Sequence, residues 1–201
     1  MGQSDSRGNG AREDYFCASR ARLWKAGTSL AALMLRCNIG SMSDNRIAAI
    51  ALDDATIRAR GEVVEREREE ALRALAEESC FVPCRAAKAG HAGPWSLRLS
   101  VPDARLCIEI ADHAGREVGT IALGLARFRR VVREYFAICD SYYRALRHAS
   151  ASELETVDMA RRAIHDRGAR QLVEALAGKV ETDFATARRL FTLICVLHIR
   201  G

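Results

Sequence analysis

Four residues near the C-terminus carry the spacing from which chemistry can be built. Asp158, Arg161, Arg162 and His165 fall three and four apart, so on a helix Arg161 and His165 share a face with Asp158 beside them. Arg188 and Arg189 fall in the first turns of a following helix, where unpaired backbone N–H groups and the positive end of the helix dipole also favour an anion. If the two faces converge, guanidinium forks and a titratable imidazole would hold a phosphate or carboxylate. Arg161, Arg162, His165, Arg188 and Arg189 are therefore the expected anion-binding residues. The plainer reading is that Asp158/Arg162 and Arg162/Asp166 are surface ion pairs worth about 0.3 to 0.5 kcal/mol each, with Asp183 serving as a helix cap.

Other combinations promise less. Cys80, Cys84 and His91 suggest zinc, but structural zinc needs four ligands and no second Cys/His pair lies nearby, so no metal or cofactor is expected. Asp112-His113-Ala114-Gly115 could present an acid and a base at a strand end; a polar turn explains it better. Cys139 and Cys195 lie in apolar surroundings and read as inert core thiols. Gly119 and Gly124 fit neither a phosphate loop nor a dinucleotide fingerprint, and no serine-elbow or HExxH pattern occurs. Whether the protein is an enzyme is left open by these residues.

The elements that must position these groups follow from periodicity. Arg46 to Leu52 reads as a strand ended by Asp53 and Asp54, and Glu62 to Glu78 as a solvated helix with a thin apolar stripe of Val64, Ala71, Leu72 and Leu75. Cys80 to Pro94, with Pro83, Gly90, Gly93 and Pro94, reads as a long mobile connection. Leu97, Leu99, Val101 and then Leu106, Ile108, Ile110 alternate across a turn at Pro102-Asp103-Ala104, and Val118 to Leu123 adds a further strand. Leu125 to Arg147 is a strongly amphipathic helix carrying Tyr135, Phe136, Tyr142 and Tyr143. Ser152 and Glu155 form a capping box for the next helix, which Gly168 breaks or bends and Gly178 ends. Thr182 or Asp183 caps a last helix whose Leu190 to Ile199 segment is apolar nearly all round, as in a central buried helix. The expected fold class is α+β: an antiparallel β-meander of about four strands packed against a C-terminal helical subdomain.

Composition bounds the remaining classes. The chain has 201 residues, 49% of them hydrophobic and 28% charged, which suits one globular core. The formal charge of +5 is uneven, because residues 1–41 hold six basic groups against three acids. The remainder is too nearly neutral to argue for nucleic acid, and no apolar run is long enough to span a membrane. Seven scattered cysteines fit reduced thiols and a cytoplasmic location. Residues 1–41 are expected to be a disordered or non-native extension, with translation starting at Met42 and residues 42–201 forming a single domain; intact-mass measurement of the native protein tests this.

The segments Tyr135-Phe136-Ala137-Ile138-Cys139-Asp140-Ser141-Tyr142-Tyr143, Asp158-Met159-Ala160-Arg161-Arg162 and Asp183 to His198 resemble an uncharacterised family of short bacterial proteins, number 0262 of the UPF series. The resemblance covers 42–201 and implies no activity, cofactor or site residue to carry over. Two functions then compete. The favoured one is a small non-enzymatic interaction module, with a protein partner or a second copy docking on the aromatic face of helix 125–147. The alternative is a small enzyme or binding protein for a phosphorylated or carboxylated metabolite, using the Arg/His cluster.

Overall fold

The computed structural model describes residues 45–53 and 62–197; the expectations for residues 1–41, Met42 and His198 lie outside them. Strand β1 (Ile47–Leu52) precedes helix α1 (Glu62–Glu77), short strand β2 (Phe81–Pro83) and short helix α2 (Cys84–Lys88). Strands β3 (Trp95–Ser100), β4 (Arg105–Ala111) and β5 (Glu117–Gly124) follow, then α3 (Arg129–His148), α4 (Ala151–Leu176), β6 (Val180–Thr182) and α5 (Phe184–Leu197). The class is α+β, with two corrections.

The main sheet has the order β1-β3-β4-β5 and is mixed. Strands β3, β4 and β5 form the antiparallel meander expected from their alternation. Strand β1, however, pairs parallel to β3, with Ile50 opposite Leu97 and Leu52 opposite Leu99. A parallel neighbour requires the chain to return to the starting end of the sheet, and the segment holding α1 makes that crossover. The second correction concerns Cys80 to Pro94, which is no open connection. Strand β2 pairs antiparallel with β6, Phe81 opposite Thr182, and this small second sheet ties the start of α5 to the end of α1. A three-residue strand is too short to show a period of two, and its partner lies about a hundred residues away, so nothing local announces it.

The three long C-terminal helices form one unit with the sheet. Leu97, Leu99, Leu106 and Ile108 from the strands share a single apolar cluster with Phe128, Val131 and Tyr135 and with Phe191, Leu193 and Ile194 of α5. Every residue from Leu190 to Leu197 is buried, as the all-round apolar character of that segment requires. Asp183 caps α5: its carboxylate accepts from the Thr186 backbone N–H at 2.8 Å and the Thr186 hydroxyl at 2.5 Å, and from the Cys80 N–H at 3.1 Å. Among the described residues no helix is long and apolar enough to cross a membrane.

Helix α4 departs from expectation at its capping box and runs through Gly168, while its end just before Gly178 is as expected. The capping box is Ser150 with Glu153, both reciprocal bonds being present, rather than Ser152 with Glu155; the two overlapping pairs satisfy the same pattern, and the earlier one wins because α3 has already ended at His148. Gly168 does not break the helix, which runs on through it for 26 residues. Its missing side chain makes room for the ring of Phe191 on α5.

At the β4–β5 turn, Asp112 is a structural carboxylate. It accepts from the backbone N–H groups of Ala114 and Arg116, both at 3.0 Å, and from Arg116 Nε at 2.9 Å, with His91 Nδ1 at 3.4 Å. Burial resists its ionisation, but the Arg116 N–H, its guanidinium and the Ala114 N–H outweigh that and hold the pKa down to about 2, from 3.8. A depressed carboxylate pKa stabilises the fold above the ordinary value and ceases to do so as pH falls through the lowered one. Urea unfolding at successive pH values is expected to show stability declining between pH 3.8 and about 2, and Asp112→Asn is expected to flatten that decline. An unchanged slope in the variant would remove Asp112 as its source.

Candidate functional site

Three helices present polar side chains to one another beside the core. Helix α1 contributes Glu67, Glu70, Ala71 and Ala74, which recur at three and four and so line one face. Helix α4 contributes Arg161, Arg162 and His165, and α5 contributes Arg188 and Arg189 from its second turn and Thr192 one turn further on. Together with Phe184 and Ala185 they line a cavity of about 450 Å³. All five basic residues singled out by sequence spacing thus border the same space.

Their charges are partly matched. Arg161 binds Asp158 Oδ1 through Nε at 3.2 Å and Nη2 at 3.0 Å, reaches Glu67 Oε1 at 3.5 Å, and stacks on the Tyr142 ring at 4.5 Å. Arg162 meets Asp158 at 2.5 Å, the surface pair expected from the sequence. Asp166 turns to Arg188 Nε at 3.4 Å. Arg189 donates to the carbonyls of Ala74 at 3.1 Å and Glu78 at 2.5 Å, closing the C-terminal end of α1, where carbonyls lack helical partners. Arg189 is therefore committed to structure. Arg162 and Arg188 hold one acid each, and a guanidinium has five N–H donors.

Beneath this rim the chemistry changes. His165 is 6% exposed, its ring lies 5.0 Å from that of Tyr135, and its Nε2 has no hydrogen-bond partner. Burial, reinforced by Arg161 and Arg188, lowers its pKa to about 3, so the imidazole is neutral at physiological pH. Glu67, 5% exposed, accepts from Tyr135 at 3.3 Å and Tyr143 at 3.2 Å. Its pKa is raised by burial and by Glu70, against the lowering effect of Arg161 and the two hydroxyls. Cys139 is buried and free, its pKa pushed up to about 12 by burial and the Glu67 charge.

Sequence spacing missed Glu67, although a signal existed: it sits at 64, 67, 71, 75, within the apolar stripe of α1, where an acid has no solvent to face. Cys80, Cys84 and His91 do not assemble. The Cys80 backbone is engaged by Asp183, Thr186 and Thr182, and His91 turns to Asp112. Among the described residues the donors that do converge are Glu67, Cys139 and His165.

All of these elements fall within one family match. The model of an uncharacterised protein family, UPF0262, matches residues 44–200. The chain belongs to this family. Its relatives include a UPF0262 protein of Novosphingobium aromaticivorans, 58% identical over 164 residues that make up 80% of this chain and all of the relative. One of Erythrobacter litoralis is also 58% identical, over 160 residues, 80% of this chain and all of that protein. One of Rhodopseudomonas palustris is 48% identical over 159 residues, 79% and 95% of the two chains. No solved structure matches. The family bears out the resemblance seen in the C-terminal segments and brings no activity with it, so the site must be read from its own geometry.

Proposed function

We propose that the UPF0262 chain binds a small phosphorylated or carboxylated metabolite in the α1–α4–α5 cavity. The observation that carries this is the convergence of Arg161, Arg162, His165, Arg188 and Arg189, drawn from two helices, on one space of about 450 Å³. That volume suits a small metabolite rather than a polymer. Arg162 and Arg188 line the cavity and hold one acid each, which leaves guanidinium donors to spare for a ligand. Arg162 and Arg188 supply the charge-assisted donors, Ala71, Ala74 and Phe184 the apolar wall, and neutral His165 an acceptor at the floor.

The interaction-module reading draws less support. Tyr135, the centre of the aromatic stripe on α3, is packed against Phe136 at 5.2 Å and Phe191 at 6.0 Å and is 2% exposed. Tyr135 serves the core, while Phe136, Tyr142 and Tyr143 are half-buried.

Isothermal titration with inorganic phosphate, pyrophosphate and citrate tests the proposal, backed by thermal shift, since a ligand of the native state raises its melting temperature. At least one anion is expected to bind, and Arg162→Ala/Arg188→Ala is expected to weaken it by tenfold or more, since each charge-assisted bond contributes about 1.5 to 3 kcal/mol. The Arg162 side chain is exposed and that of Arg188 about one-third so; neither belongs to the apolar core, and the fold is expected to persist. Absence of binding by every anion, or equal affinity in the folded double variant, would overturn the proposal.

A further inference from the structure

We propose that Glu67, Cys139 and His165 form a binding site for a borderline-soft divalent cation, zinc being the best fit, at the floor of the cavity. A carboxylate oxygen, a thiol sulfur and an imidazole nitrogen from three separate helices lie within 4.8 Å of one another, and all three residues are buried. Mixed S, N and O donors suit zinc, whose bonds run about 2.0 to 2.3 Å; closing on an ion asks the donors to draw in by about 1 Å, a movement of side-chain torsions.

The independent observation is His165 itself. A neutral imidazole has one nitrogen able to accept, and a buried polar atom without a partner carries a desolvation penalty that native structures rarely leave uncompensated. Nε2 of His165 is such an atom. The carboxylate of Glu67 retains lone pairs beyond its long contacts to Tyr135, Tyr143 and Arg161 of 3.3, 3.2 and 3.5 Å. Those three donors would then orient Glu67 from the second shell of the metal.

Glu67 and His165 line the cavity while Cys139 does not, so an ion held by all three keeps a coordination position toward the opening. Three protein ligands with one open position is the arrangement of catalytic rather than structural zinc, and an anion held by the arginines would meet it there. As the metal–sulfur bond forms, the Cys139 thiol proton passes to solvent, one proton released per ion. The cation site stands whether or not the anion proposal does.

Cobalt(II) titration of the chelator-treated full chain, in buffer free of phosphate and carboxylates, reads the site directly through the thiolate-to-cobalt charge-transfer band. One equivalent is expected to generate the band and one equivalent of zinc to erase it. Cys139→Ser is expected to abolish the band, Cys80→Ser/Cys84→Ser to keep it, and His165→Gln to weaken zinc binding by at least about 100-fold, since even second-shell losses reach 10- to 100-fold. Cys139→Ser is nearly isosteric and decides the question alone should His165→Gln not fold. No band in the native sequence, a band surviving Cys139→Ser, or one lost in Cys80→Ser/Cys84→Ser would overturn the site.

Discussion

Gly168→Ala is expected to lower stability by about 3 kcal/mol, the upper part of the range for overpacking a well-filled core. In an exposed helix the same change would add about 1 kcal/mol, because alanine is the better helix former. Position 168 is buried in the middle of α4, and a Cβ there would fall against Cε1, Cζ and Cδ1 of Phe191 at separations carbon atoms do not adopt. Phe191 is 0% exposed and lies against Tyr135, so its ring has no empty space to enter. The α4–α5 contact must open or the ring must leave its rotamer, and either outweighs the gain in propensity. Urea denaturation measures the difference. Phe191→Leu introduced together with Gly168→Ala is expected to recover part of the loss by removing the obstructing ring atoms. A Gly168→Ala protein as stable as the parent would mean that the two helices can slide apart freely.

That glycine also shows where sequence reasoning reaches and where it stops. A lone glycine within a helical pattern signals either a break or a close approach, and the two are distinguished only by what lies opposite, here a ring 23 residues further along the chain. The elements whose signal is local were legible: the alternation of β3, β4 and β5, the three-and-four rhythm of α3, the all-apolar segment of α5. Parallel pairing of β1 with β3 and the β2–β6 pair were not, because their hydrogen bonds join segments about 47 and 100 residues apart and leave no periodic trace. The site divided in the same way. Arg161, His165 and Arg188 could be nominated because spacing of three and four places charges on one helix face, and the three helices do bring them to one cavity. The floor escaped notice because Glu67, Cys139 and His165 come from three different helices, and no spacing within one element relates them.

The network beneath the cavity predicts an asymmetry between its two charged members. Arg161→Ala is expected to cost about 3 kcal/mol, near the lower end for removing one partner of a buried pair. Its side chain is 20% exposed and its contact with Glu67 long, at 3.5 Å, which keeps the loss from being larger; its bonds to Asp158 and the stacking on Tyr142 go with it. What remains is Glu67, whose carboxyl is already disfavoured as an anion by burial and has then lost its main counter-charge. Glu67→Gln is expected to cost within about 1 kcal/mol: Tyr135 and Tyr143 donate to different carboxylate oxygens, so the amide oxygen accepts from one while the amide NH2 donates to the other, whose hydroxyl can turn to accept, and the penalty of burying a charge disappears. The two changes should therefore not add. Arg161→Ala/Glu67→Gln is expected to be more stable than the sum of the single losses by about 1 to 2 kcal/mol, the coupling usual for residues in one network. Strict additivity in urea unfolding would place the worth of Arg161 in Asp158 alone and detach the rim of the cavity from its floor.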